Sequence, residues 1–297
     1  MKFNIAYLGP EHLFHLRRDF VLLLKYALED AGHDTVISGT NLDANRFNLI
    51  IGAYFLTSTK LSQLSAAGLN YAHVNTEVID KDMLNYNPNK VDFMGAYLPS
   101  IRNGRFAWDV IMDNMREHKR YGVNAHFLRW GAHPKMRDIE HRTDKDLDFY
   151  FFGSLSDRRR RLLRLLLSAG LIGYADSSCP YFLRNDRISR SRVQLNLIQD
   201  EKYTHVNCFR ICYLADNGCC ILSEKENDPA GYLKYSEIVD QNALVDQVRH
   251  FIANDRWRVR GEKARADFAE NNMSDIVERL LEESFCSPAS EPNGGRQ

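Results

Sequence analysis

The 297-residue chain lacks a net charge: 39 Lys and Arg stand against 39 Asp and Glu. Proteins that coat nucleic acid or anionic bilayers by bulk electrostatics carry an excess of positive charge, so that class is excluded. The chain also lacks any apolar run near the ~18–20 residues of a membrane span. Its opening residues, MKFNIAYLGPEHLFH, show neither the apolar core nor the small-residue cleavage site of a secretory signal. A cytoplasmic protein with no integral membrane segment is the expectation. Zinc-finger spacing is missing too. Cys208, Cys212, Cys219 and Cys220 follow C-x3-C-x6-C-C, with no His pair at ligand distance. Reduced, buried cysteines are expected. There is no internal repeat. What is present is ordinary globular composition, 44% hydrophobic and 26% charged, at a length that suits two domains.

Those domains read as α/β. Residues 2–8 (KFNIAYL) form an apolar run ending in Gly9-Pro10, followed by an amphipathic stretch from Leu13 to Ala31 closed by Gly32. Strand patterns follow at 34–38, 48–54, 69–74 and 91–98, with helical periodicity at 57–67 and 106–121, and a last strand at 124–129. Residues 131–146 are polar and weakly periodic, a linker. The alternation then restarts: strand 147–152, helix 157–169, strand 193–198, helix 206–217, strand 219–223, short strand 237–239, and helices at 242–254, 256–270 and 274–285. Strands alternating with helices of ten or more residues imply mostly parallel sheets. The expected architecture is two Rossmann-like doubly wound domains facing a cleft, residues 1–130 and 147–272. A helix at 273–285 is expected to pack back toward the first domain, before a disordered tail, 286–297.

Two constellations could hold an anion. Gly153 and Ser154 follow a strand and open a helix, where free N–H groups suit a phosphate, and Arg158 could close on it bidentately. Arg210 follows Asn207-Cys208-Phe209 near the start of another helix, and Ser223-Glu224 ends a strand, where such sheets present ligand contacts. Each motif alone is weak, since a strand-loop-helix turn with a solvated arginine face looks the same.

Their order is more specific. Gly-Ser-x-x-x-Arg-Arg, then Ser191-Arg192-Val193-Gln194-Leu195-Asn196-Leu197, then Asn207-Cys208-Phe209-Arg210 and Gly218-Cys219-Cys220-Ile221-Leu222-Ser223-Glu224, resembles the donor-binding half of GT-B glycosyltransferases. The likeness is greatest to the CgeB-like, spore-maturation group, and it covers about residues 147–282. It implies a metal-independent enzyme without cofactor that moves a sugar from a nucleotide-sugar donor to an acceptor hydroxyl. The acceptor class stays open among glycan, lipid-linked, small-molecule and modified-DNA hydroxyls. Carried over, Gly153, Ser154, Arg158 and Asn196 line the donor pocket, Arg210 meets the diphosphate, and Ser223-Glu224 faces the nucleotide-sugar. One position departs from the pattern. Tyr213 stands where the group has its ribose-binding glutamate, so that Tyr213 stacks on a base, Glu224 or Glu226 takes the ribose, the donor differs, or activity is lost. A catalytic base would come from the first half, with His12 and Glu77 as candidates and Asp19 behind them. An epimerase or hydrolase on the same scaffold and an inactive nucleotide-sugar-binding homologue are the rival readings.

The neutral total hides an uneven distribution. Between Arg158 and Arg192 there are nine basic residues against two acidic ones. That concentration points to a bound anion in the second half.

Overall fold

The computed structural model describes residues 1–87, 89–202 and 205–286. It divides into two compact units. Met1–Phe14, Leu24–Arg129 and Ser274–Cys286 form one, and His15–Leu23 with Trp130–Met273 form the other.

The first unit is built on β1 (Lys2–Tyr7), β2 (Asp34–Ile37), β3 (Phe47–Ile51) and β4 (Tyr71–Asn75), then a small hairpin of β5 (Ile79–Asp80) and β6 (Met83–Leu84), then β7 (Ala107–Asp109) and β8 (Ala125–Phe127). The main sheet runs β2-β1-β3-β4-β7-β8, and every pairing in it is parallel. Parallel neighbours require crossovers, supplied here by α1 (Arg18–Asp30), α2 (Ser58–Ala66), α3 (Leu98–Asn103) and α4 (Asn114–Arg120). Coverage on both faces explains why every residue of β3 and β4 is buried. Ile50, Leu61, Phe93, Tyr97 and Ile101 share one core cluster.

The second unit repeats the plan with β9 (Leu147–Phe152), β10 (Gly173–Asp176), β11 (Ser191–Asn196), β12 (Cys220–Ser223) and β13 (Glu237–Ile238). Its sheet runs β10-β9-β11-β12-β13, again all parallel. Its helices are α5 (Asp157–Ser168), α6 (Tyr181–Arg190), α7 (Cys208–Asp216), α8 (Leu244–Ile252) and α9 (Arg256–Ala269); α10 (Met273–Cys286) follows and, from Ser274, belongs to the first unit. Phe149, Phe151, Leu163, Leu166, Leu195, Leu222 and Val248 form its core. Burial of each such side chain contributes roughly 1.5–3 kcal/mol. Cys208, Cys212, Cys219 and Cys220 are buried, Cys179 is half-buried and Cys286 exposed.

Several sequence-based assignments are corrected. Residues 93–98 are helical and Asp92 is their N-cap: Asp92 Oδ1 accepts the Gly95 N–H at 2.9 Å, a π-turn spans Phe93–Tyr97, and Pro99 sits in the first turn of α3. Proline is welcome there because that N–H has no helical partner. The apolar composition of V-D-F-M-G-A-Y-L suits a strand equally; the cap and the proline decide. Residues 106–121 split into the three-residue β7 and α4. Trp108 is wholly buried in β7, donating from Nε1 to Ser284 Oγ of α10 at 2.9 Å. β10 and α6 lie in a stretch given no element. The polar segment 131–146, read as a linker, is held on the second unit. His133 N–H and Arg137 Nε donate to Asp216 at 3.0 and 2.9 Å, and Ile139 N–H to Asn217 Oδ1 at 3.1 Å. The tail after Cys286 lies outside the described residues. Among the described residues no helix is long and apolar enough to cross a membrane.

Candidate functional site

In the second sheet the chain moves from β9 outward to β10 on one side, then returns to β11 and continues through β12 to β13 on the other. Open α/β sheets bind ligands outside the carboxyl ends of their strands at such a reversal. Here that edge gathers Phe152-Gly153 after β9, Asn196 at the end of β11 and Ser223-Glu224 at the end of β12. Asn196 and Ser223 are register partners, and the Asn196 amide donates to Ser223 Oγ at 2.8 Å.

Arg210, in the first turn of α7, points into this edge and is only 4% exposed. Its Nε and Nη2 donate to the Phe152 carbonyl at 3.1 and 2.9 Å, and Nη1 to Asn196 Oδ1 at 2.6 Å. A guanidinium carries five N–H donors, so two are left without an acceptor among the described residues. Among the described residues no carboxylate reaches it at ion-pair distance. Burial, reinforced by the neighbouring Arg159 charge, pulls Arg210 down to about 9, against a smaller opposing pull from Glu226. Gly153 makes the approach possible. Its φ is +134°, and a Cβ there would lie 2.5 Å from Arg210 Nη2.

Arg159, overlooked within the run Arg158–Arg161, is a second buried guanidinium with no carboxylate in contact among the described residues. Nε and Nη2 donate to the Leu197 carbonyl at 3.0 and 2.6 Å, and Nη1 to the Ser154 carbonyl at 2.9 Å. Burial lowers it to about 10. Glu226, three residues beyond β12, accepts from the Asn196 amide at 2.6 Å, and burial pushes its carboxyl up to about 7. The signal for Arg159 in the sequence was its place in the first turn after Ser156; that for Glu226 was its distance past a strand end.

Other expected donor contacts are arranged differently. Arg158 and Glu224 bind one another bidentately, Nη1 to Oε2 at 2.8 Å and Nη2 to Oε1 at 2.5 Å, and Glu224 also accepts the Ile198 N–H at 2.7 Å. The helix is capped by Ser156, which accepts the Arg159 N–H at 3.3 Å, while Ser154 is exposed in the loop before it. Ser223 Oγ donates to the Glu224 carbonyl at 2.9 Å. Tyr213 is buried in a separate polar cluster, its hydroxyl 2.7 Å from Asp138 Oδ1 and 2.9 Å from Asn185 Oδ1, with the Arg184 guanidinium 4.4 Å from its ring centre. Burial raises its phenol, and no ring face is offered to a base. Asp19 belongs to that cluster through Arg184, at 2.5 Å.

The local excess of arginine is therefore mostly spent inside the unit. Arg187 pairs with Asp176, Arg190 with Asp146 and Asp186, and Arg192 with Asp148 at 2.9 Å. Among the described residues, Arg210 and Arg159 are the buried arginines at this edge with no carboxylate in contact.

In the first unit, Glu77 follows β4 and is 5% exposed. Lys90 Nζ lies 2.5 Å from its Oε2, and Asn85 donates to the same oxygen. As a base it would first have to part from Lys90. His12 is exposed, on a 3-10 turn spanning Glu11–Leu16. Asp-x-Asp pairs occur at Asp80/Asp82, Asp144/Asp146 and Asp146/Asp148, but Asp146 and Asp148 are held by arginines. Among the described residues no group of three His, Cys, Asp or Glu is arranged to hold a metal ion.

Neither a protein-family model nor a curated protein sequence matches the chain. Solved structures do match. The β-glucosyltransferase of phage T4 is 12% identical with a TM-score of 0.60, over 96% of this chain and 99% of that one. An α-glucosyltransferase in complex with UDP and a 13-mer DNA is 6% identical with a TM-score of 0.65, over 96% and 100%. AviGT4, a glycosyltransferase of avilamycin A biosynthesis, is 10% identical with a TM-score of 0.57, over 96% and 97%. At these identities the likeness is one of fold, and the fold is that of the GT-B glycosyltransferases, two Rossmann-like α/β units.

Proposed function

We propose that the protein is a glycosyltransferase whose second unit binds a uridine diphosphate sugar at the carboxyl edge of β9, β11 and β12. The observation that carries this reading is Arg210: a buried guanidinium at the strand-order reversal which, among the described residues, has two N–H donors without an acceptor and no carboxylate in contact. Keeping a cation there with no carboxylate in direct contact is costly unless a ligand brings negative charge to it. A diphosphate would supply it, and the Gly153 turn leaves room for its oxygens. In the reaction, negative charge builds on the departing diphosphate. Arg210, already fixed by Phe152 and Asn196, needs no reorganisation to stabilise it. Transfer then proceeds without a metal ion. UDP bound in a neighbour of the same fold supports the choice of base.

The order of motifs supports placement beside the CgeB-like group. A hexose is the sugar favoured by the glucosyltransferase neighbours. A modified-DNA hydroxyl is one acceptor class to try first, because one neighbour holds DNA. Turnover decides. Wild type should release UDP from UDP-glucose in the presence of a suitable acceptor, and Arg210→Ala should lose most of that rate at a temperature where circular dichroism shows it still folded. A wild type that neither transfers nor hydrolyses any nucleotide-sugar ends the enzyme reading, and full activity in Arg210→Ala ends the site assignment.

A further inference from the structure

Glu226 is a partly buried carboxyl group at the donor edge that, among the described residues, no arginine holds directly. Glu224, two residues earlier, is closed off by Arg158. One amide joins Glu226 to the proposed diphosphate ligand: Asn196 Nδ2 donates to Glu226 Oε1 at 2.6 Å while Asn196 Oδ1 accepts from Arg210 Nη1 at 2.6 Å. We propose that Glu226 is the built-in counter-charge of Arg210 and takes up a proton from solvent as a nucleotide-sugar diphosphate seats there, so that donor binding is proton-linked. The proposal rests on the donor site described above and adds a regulation of it.

The charged groups around Glu226 come from three directions. Arg210 approaches from α7, Arg159 from α5, and Glu224 from the end of β12 with Arg158 across it. His205 lies close by through its bridge to Asn227, the residue after Glu226. Burial and the Glu224 charge favour the protonated carboxyl, while the Asn196 amide and the two arginines favour the carboxylate, and the balance falls at about 7. Near neutral pH the empty site is therefore a mixture of both forms. A diphosphate diester brings two negative charges to Arg210. Those charges oppose a carboxylate one amide away and tip Glu226 to its neutral form. Once protonated, Glu226 no longer competes for Arg210, and the full guanidinium charge serves the ligand.

The sign follows from linkage. Binding that takes up protons weakens as pH rises. With the empty group half-protonated near pH 7, up to about half a proton is taken up per site at that pH, and more above it.

The probe is UDP-glucose, because its diphosphate diester does not itself titrate between pH 6 and 8, unlike free UDP. Calorimetric titration of the wild-type protein in two buffers of different ionisation enthalpy should give apparent enthalpies that differ in the sense of proton uptake, and affinity should fall several-fold from pH 6.5 to 8. Glu226→Gln should bind with no buffer dependence and a nearly flat pH profile. Should that variant fold poorly, ¹³C-carboxyl titration of the wild type supplies the same reading: the Glu226 midpoint should move up on saturation with UDP-glucose. Binding with equal enthalpies in both buffers, or proton uptake that persists in Glu226→Gln, overturns the proposal and leaves the donor site standing. No binding of UDP-glucose at all overturns both.

Discussion

Replacing Gly153 by alanine tests how tightly the donor edge is built. The backbone at this position has φ +134°, a conformation that residues with a Cβ rarely adopt. Forcing it costs about 1–3 kcal/mol. The new methyl group would lie 2.5 Å from Arg210 Nη2, so the guanidinium must shift. Arg210 cannot move far without loosening its bonds to the Phe152 carbonyl and Asn196 Oδ1, and losing one bond from a charged donor costs about 1.5–3 kcal/mol. The two penalties together predict a destabilisation of about 3 kcal/mol or more in urea or guanidinium titration. A guanidinium displaced from the strand ends should also weaken UDP-glucose binding at least about tenfold, since 1.4 kcal/mol is one decade. A Gly153→Ala protein with both stability within about 0.5 kcal/mol of wild type and unchanged affinity would refute the reasoning, because a surface substitution gives that result.

Three further outcomes follow from the same geometry. Tyr213→Phe removes the hydroxyl beside Asp138 and Asn185 and should cost about 1–2 kcal/mol of stability while leaving UDP-glucose affinity within about twofold; a large loss of affinity would return Tyr213 to the donor pocket. Arg158→Ala and Glu224→Gln, singly and together, should show a coupling of about 1–3 kcal/mol in a denaturation double-mutant cycle, whereas additive effects would mean the bidentate pair contributes nothing. Gly261→Ala would put a Cβ 2.1 Å from the Gly218 carbonyl oxygen, where α9 meets the end of α7; separating the two backbones should cost about 1–3 kcal/mol or more, read as a lowered melting temperature, and an unshifted melt would contradict that contact.

The alternation of the chain made both sheets legible, because βα periodicity is a local property. β1, β2, β9 and β11 sit where apolar runs bounded by turn residues placed them. Short elements were not legible. β7 is three residues, and β10 is a four-residue edge strand with half its surface open, so neither carries enough pattern to stand out. Pro180, the N-cap of α6, was the available signal for that helix. At the site, sequence order pointed to Gly153, Asn196 and Arg210, which the fold does bring together. It had no means of showing that Arg158 and Glu224, 66 positions apart, would satisfy one another. Nor could it show that Tyr213, one turn along α7 from Arg210, lies in a different polar cluster. The arginine count from Arg158 to Arg192 misled for the same reason, since the acidic partners of Arg184, Arg190 and Arg192 come from outside that window.

Titration of UDP-glucose into wild type and into Arg210→Gln tests the central claim most directly. Glutamine removes the charge and keeps a neutral donor near the Phe152 carbonyl that Arg210 Nε reaches, and circular dichroism must show both proteins folded before affinities are compared. Binding by wild type and an affinity lower by about 10- to 100-fold in the variant, the equivalent of one charge-assisted hydrogen bond, is the predicted result; equal affinities in two folded proteins would contradict it.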